Sequence, residues 1–196
     1  MFHFFAYVSR LKHIRRWSLM HCAVPENDAE HSLQVAIIAH ALAVLARDRY
    51  GREVDPEHVL ALAVYHDATE VFTGDMPTPV KYSSPELRGA YRSLESLAAS
   101  KLTAMLPEVM RPVYEPYLSG EDADYALVKA ADRISAYLKC LEERRAGNPE
   151  FIAAEKEILE SIDQIEQPEV RDFMAEFVPS FRLTLDELNH PGEVQS

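Results

Sequence analysis

Residues 28–50, DAEHSLQVAIIAHALAVLARDRY, most limit the folds open to this chain. Apolar side chains fall on almost every face of a helix of this length, and no apolar–polar alternation of a half-buried strand occurs. Such a helix is stable in water only in the middle of a bundle. Asn27 and Glu30 have capping-box spacing at its start, and Gly51 stops it. The chain has only 6 glycines and no run of alternating β-branched residues. Other helices must therefore cover this one.

The expected helices follow from their stops and starts. FHFFAYVSRLKHI is amphipathic, with Phe4, Phe5, Val8, Leu11 and Ile14 on one side, and RRWSLMHCAVPENDA is an irregular connector. Asp55-Pro56 caps a helix that should continue through ALAVYHDATEVF to Gly74. Pro85-Glu86 opens another that ends before Pro107, and the proline-bearing stretch 107–122 reads as loop with at most short helices. A further helix runs to Gly147, Asn148-Pro149 caps the next, and QPEVRDFMAEFVPSFRLTLDEL should be kinked at Pro179. The tail NHPGEVQS should fray. No repeat or low-complexity linker interrupts the chain. One all-α domain over 1–196 is expected, with a core at about 28–135 and C-terminal helices 148–188 packed on it.

Charge and cysteine content narrow the function. A net charge of −12 argues against wrapping a nucleic acid polymer, which needs clustered Lys and Arg. A small anion is still acceptable where a metal ion reverses the local field. The start is aromatic first and basic after, the reverse of a secretory signal, and no apolar run approaches the roughly 20 residues that span a bilayer. Cys22 and Cys140, far apart, suit a reducing cytoplasm.

Ionisable groups break into three of the apolar helices: His31 in DAEHSLQVA, His66-Asp67 in VYHDATE and Asp132 in VKAADRISAY. Buried charge must be paired or must bind a metal. Two imidazoles and two carboxylates from three helices make a mixed N/O site for a borderline divalent ion such as Mn, Co, Fe or Zn. Four such ligands leave open positions on a six-coordinate ion for water and substrate, as metal-assisted hydrolysis requires. Neighbouring residues of a helix project about 100° apart, so His66 and Asp67 share an ion only where the helix is distorted or their rotamers lean together. Bland readings compete: a surface pair for His66-Asp67, a satisfied core histidine for His31, an ion pair with Arg133 or Lys129 for Asp132. Glu70 shares the helix face of His66 and Asp67. His40 reads as a core histidine.

The stretches FFAYVSRLKHIRRW, ENDAEHSLQVA, YHDATEVFTGDMPTPVKY, LVKAADRISAYLKCLEE and FVPSFRLTLDEL resemble, in order, the bacterial HD-domain 5′-deoxynucleotidases of the YfbR type. The likeness covers nearly the whole chain and implies an HD-domain helical bundle. It implies His31, His66, Asp67 and Asp132 as metal ligands and Glu70 as the proton-transfer residue. It further implies that Arg16 orients the phosphate and Trp17 contacts the sugar. Asp75, Met76, Pro77 and Thr78 would line the nucleotide site, with Met76 where the family carries Leu. A divalent metal, often cobalt, homodimers and deoxyribonucleoside 5′-monophosphate substrates come with the same resemblance.

The chemistry is consistent with that reading. A phosphate monoester carries about two negative charges, and two His with two ionised Asp leave a divalent ion roughly neutral. A second cation is needed, and the planar fork of Arg16 suits phosphate oxygens. Glu70 would protonate the leaving 5′-oxygen or order the water. Two alternatives stay open. One is an HD hydrolase of triphosphates, (p)ppGpp or cyclic phosphodiesters, for which the motifs supply few cations beyond Arg15, Arg16 and Lys81. The other is a non-catalytic helical module with a degenerate metal site.

Overall fold

The computed structural model describes residues 1–81 and 83–189, so Tyr82 and the expected frayed tail from His190 lie outside the described residues. No strand occurs among the described residues, and the single backbone bridge, Arg15 with Asn27, closes the connector before the long apolar helix. The all-α expectation holds. The helices are α1 (Phe4–Val8), α2 (Asp28–Asp48), α3 (Pro56–Tyr65), α4 (Glu70–Thr73), α5 (Thr78–Lys81), α6 (Pro85–Ala104), α7 (Arg111–Ser119), α8 (Tyr125–Arg145), α9 (Ile152–Asp163), α10 (Pro168–Glu176) and α11 (Leu185–Asn189).

α2 starts where the capping box puts it. The Asn27 side chain accepts from the backbone N–H of Ala29 and Glu30, and Glu30 accepts from the Asn27 N–H. α2, α3 and α8 pack on one another around Val35, Ala39, Leu42, Leu62, Leu127 and Ile134, and Phe173 of α10 closes this core. Each of these side chains larger than Ala39 contributes about 1.5–3 kcal/mol by leaving water. A second, smaller cluster joins Phe4, Ala68, Leu102, Leu106 and Leu118. Ala63 belongs to the first cluster and Ala68 to the second. The segment between them is the seam of the molecule.

Several local expectations are corrected. α2 is not buried all round, for Leu33 is 62% and Ile37 60% exposed. By length and composition α2 would also cross a membrane, contrary to the sequence expectation, but half of its most apolar window is buried inside the bundle. The first helix is cut to α1 and a 3-10 turn, Ser9–His13, burying Phe4 and Leu11 while Phe5 stays exposed. The expected loop at 107–122 contains α7: Pro112 falls in the first turn, where no N–H is required, and Pro116 is tolerated inside. α10 ends at Glu176, and Pro179 lies at the start of a separate 3-10 turn, Val178–Arg182, instead of kinking one helix.

Candidate active site

The expected helix 56–74 is broken at the seam. α3 ends at Tyr65, and the chain then closes tighter turns: Ala68 N donates to Tyr65 O at 3.0 Å and Glu70 N to Asp67 O at 2.9 Å. α4 resumes for one turn and stops at Gly74, whose φ of 69° a side chain would resist. This is the distortion that adjacent ligands need. His66 Nε2 and Asp67 Oδ2 converge to 3.1 Å.

His31, from the first turn of α2, meets them: its Nε2 is 3.6 Å from Asp67 Oδ2 and 3.1 Å from Asp132 Oδ1 of α8. The rings are oriented from behind. Ser135 donates its only proton to Gln34 Oε1 at 2.6 Å, so at 3.1 Å its oxygen accepts from His31 Nδ1–H. His66 Nδ1–H donates to Ala63 O at 2.7 Å. Both Nε2 lone pairs therefore face the centre, buried and without a hydrogen-bond partner among the described residues. Orphaned acceptors of this kind fit a metal ion, with the far nitrogen hydrogen-bonded as metal-binding histidines require. Ligand atoms of His31, His66 and Asp67 lie within 4.8 Å of one another. Asp132, its side chain 44% exposed, stands at the edge of this group through His31.

Electrostatics agree with the geometry. Burial opposes the charge on Asp67, but His66, then His31 and Arg16, hold its carboxyl well below the usual range. Burial likewise opposes a charged His66, yet Asp67 and Asp132 outweigh it and raise the imidazole to about 9. The group attracts a cation, either that proton or an ion in its place.

A second set of residues reaches Asp67 from the connector. Arg16 Nη1 is 3.4 Å from Asp67 Oδ2, and Arg16 Nε donates to Glu26 Oε2 at 3.1 Å. Trp17 Nε1 donates to that same oxygen at 3.1 Å, and the indole packs on Phe151 at 5.2 Å. Trp17 has φ 58°, the one positive φ outside glycine among the described residues, and strain of this kind is held at functional sites by surrounding contacts. Glu26 was not singled out in the sequence, because nothing in PEND marks a surface glutamate as a bridge between Arg16 and Trp17. Burial pushes the Asp75 carboxyl up, with Arg16 and the Trp17 backbone N–H pulling against it. Asp75 is thus brought to the Arg16–Trp17 set. Met76 and Pro77 are half-buried and Thr78 is exposed at the start of α5; no hydrogen bond or ion pair ties these three to the histidine–aspartate group among the described residues.

Burial, then the negative neighbours Asp67, Asp28 and Asp75, push Glu70 up to about 11. Asp28 is fully buried at the start of α2 and is pushed up to about 7 by burial, with Glu70 close enough to share a hydrogen bond. Two carboxylates face each other only as acceptors, which is why neither Asp28 oxygen finds a donor. A proton between them makes the bond. Sequence reasoning missed Asp28, since an acid in the first turn of a helix ordinarily serves the helix dipole in solvent.

A cavity of about 950 Å³ opens from His66, Asp67, Glu70 and Asp132 and is walled by α6, α7 and α8. Its cations include Arg92 on α6, which carries no motif, and Lys129 on α8, three residues before Asp132, which the sequence offered only as an ion-pair partner for that aspartate.

A helical bundle with a histidine–aspartate group at the meeting of three helices defines the HD class of phosphohydrolases. A solved HD-domain phosphohydrolase from Listeria innocua is similar, with a TM-score of 0.79 and 28% identity over 96% of this chain and 94% of that one. The cyanophage S-2L HD phosphohydrolase, solved with dA and one catalytic Zn²⁺, shares the fold at a TM-score of 0.60 and 23% identity, covering 91% of this chain and 96% of its own. Within that class the chain belongs to the 5′-deoxynucleotidase YfbR-like family, which matches residues 3–181. A 5′-deoxynucleotidase of Vibrio parahaemolyticus is 48% identical over 95% of this chain and 98% of its own length. The 5′-deoxynucleotidase YfbR of Escherichia coli is 47% identical over 95% and 96%.

Proposed function

We propose that this protein is a metal-dependent phosphomonoesterase that hydrolyses deoxyribonucleoside 5′-monophosphates to deoxynucleoside and phosphate. The observation that carries the reading is the pair of orphaned Nε2 atoms, His31 and His66, aimed with Asp67 at one point beside the Arg16 guanidinium. The family relatives bear the same activity in their names.

His31, His66, Asp67 and Asp132 would hold one divalent ion, cobalt or manganese being suited to this mixed donor set. An ion there supplies Lewis-acid polarisation of the phosphoryl group. The chain supplies the rest. Arg16, pinned by Glu26 and turned toward Asp67, directs its fork at the phosphate oxygens. Glu70, protonated at neutral pH in this setting, is suited to give its proton to the leaving 5′-oxygen. Trp17 takes one face of the sugar, and Asp75 with Met76, Pro77 and Thr78 the remainder of the nucleoside.

The same reading includes a single domain over the whole chain, a homodimer and a cytoplasmic setting. The exposed Leu33 and Ile37 on α2 support a second copy as the cover for that face. A non-catalytic module is disfavoured by an intact donor set with its supporting hydrogen bonds. The deciding experiment is a phosphate-release screen of ribo- and deoxyribonucleotides with Mg, Mn, Co and Zn. Turnover of deoxynucleoside 5′-monophosphates in preference to ribonucleotides is expected, and no release from any monophosphate would overturn the reading.

A further inference from the structure

His31 and Gln34 stand one turn apart on α2, and Asp132 and Ser135 one turn apart on α8. His31 joins the two helices through both ring nitrogens. Its Nε2 lies 3.1 Å from Asp132 Oδ1, and its Nδ1 lies 3.1 Å from Ser135 Oγ. Ser135 Oγ is in turn 2.6 Å from Gln34 Oε1. His31 and Ser135 are buried, so bulk water does not compete for the hydroxyl.

The two ends of the ring favour opposite tautomers. A neutral imidazole carries one proton, on one nitrogen or the other. At Nε2 the acceptors are the carboxylates of Asp132 and, at 3.6 Å, Asp67, and both draw the proton to that nitrogen. A proton there would occupy the lone pair that faces the centre of the group. At Nδ1 the partner is a hydroxyl, which can donate or accept. Ser135 alone therefore cannot oppose the carboxylates, because its own proton can turn toward a bare Nδ1.

Gln34 removes that freedom. Its amide oxygen takes the single serine proton, Ser135 has only lone pairs left for His31, and the imidazole proton is held at Nδ1. Gln34 also lines a cavity of about 180 Å³ with Glu26 and Glu142, whose carboxylates are acceptors suited to its NH2 while its oxygen faces Ser135. His66 needs no such device. Its Nδ1 meets the Ala63 carbonyl at 2.7 Å, an acceptor with no proton to give.

We propose that Gln34 is a positioning residue that sets the tautomer of His31 through Ser135 and so keeps His31 Nε2 open for the ion. The inference rests on the reading of His31 as a metal ligand.

The test compares wild type, Gln34→Met, Gln34→Glu, Ser135→Ala and the double variant Gln34→Met with Ser135→Ala. Met keeps the side-chain length with only a weak acceptor, whereas Glu keeps an acceptor oxygen. Imidazole nitrogen NMR of the metal-free proteins in alkaline buffer reports which nitrogen of His31 carries the proton. Calorimetry with Co²⁺ reports affinity. Wild type and Gln34→Glu should show the Nδ1–H form. Gln34→Met should shift toward Nε2–H and bind Co²⁺ about tenfold more weakly. In the Ser135→Ala background the same change at 34 should have no further effect, because the path from Gln34 to His31 is already cut. The role of Gln34 is overturned if wild type carries the proton at Nε2 or if Gln34→Met leaves the tautomer unchanged. It is equally overturned if Gln34→Glu behaves as Gln34→Met, or if the loss persists undiminished without Ser135. A wild type that binds no divalent ion would instead overturn the metal reading, while the tautomer comparison would still decide what Gln34 does.

Discussion

Asp67 Oδ2 lies 3.1 Å from Nε2 of His66, its neighbour in the chain, because the helix gives way between Tyr65 and Glu70. A continuous helix would spread the two side chains by about 100°. The break also puts Ala68 in the second hydrophobic cluster while Ala63 stays in the first, so packing on both sides holds the distortion in place.

If that convergence serves one ion, His31→Ala or His66→Ala should each abolish metal-dependent phosphate release and lower bound metal, read by elemental analysis of the purified protein. Ser135→Ala removes the acceptor for His31 Nδ1–H at 3.1 Å and should weaken metal affinity by about 10–100-fold. Full metal content with full activity in the His31 or His66 variant would exclude these residues as ligands.

Glu70→Gln should keep metal and nucleotide affinity while kcat falls by about 10²–10⁴-fold, the usual effect of losing a general acid or base. Loss of metal in this variant would place Glu70 among the ligands instead. Stopped-turnover binding of dAMP separates the two outcomes.

One oxygen of Glu26 holds both Arg16 and Trp17 at 3.1 Å. Glu26→Gln keeps the shape but offers a weaker acceptor, so KM for dAMP should rise several-fold with a smaller change in kcat. Unchanged KM would mean that the Arg16 and Trp17 side chains are held by their other contacts.

Selection of the deoxy sugar must penalise an added hydroxyl, because a missing one offers nothing to bond. Trp17, fixed with φ 58° against Phe151, is the rigid wall available for that. Trp17→Ala should reduce the kcat/KM ratio of dAMP over AMP more than it reduces dAMP turnover. A constant ratio would move sugar recognition elsewhere.

Glu143 is fully buried and accepts from Lys139 at 2.6 Å, Asn148 at 2.9 Å, and the backbone N–H of Ala23 and Val24 at 2.8 and 3.0 Å. It anchors the connector that carries Arg16 and Trp17. Glu143→Ala leaves the buried Lys139 ammonium only the Val24 carbonyl and the exposed Glu142, and takes the acceptor from two N–H groups, a loss of about 3–5 kcal/mol that should lower Tm by roughly 10 °C. Burial opposes ionisation of Glu143, but Lys139, Asn148 and the two N–H groups hold it near about 2, below its ordinary 4.5. Its stabilisation is complete above pH 4.5 and is lost as pH falls toward 2, so wild type should lose stability across that window and Glu143→Ala less.

The all-helical class, the capping box at Asn27, the proline-led starts of α3 and α6 and the residues of the histidine–aspartate group could all be read from the chain, because periodicity, caps and misplaced polar groups are local properties. The break at 66–69 could not, since ALAVYHDATEVF reads as one helix and only packing against two clusters interrupts it. Glu26, Asp28 and Glu143 look like ordinary acids in sequence and acquire roles through partners up to 120 positions away. Arg92 and Lys129 share a cavity only because α6 and α8 face each other across it. Composition and spacing along one chain decide which helices form and which groups resist burial. Distance between helices, which decides what those groups meet, exists only in the folded molecule.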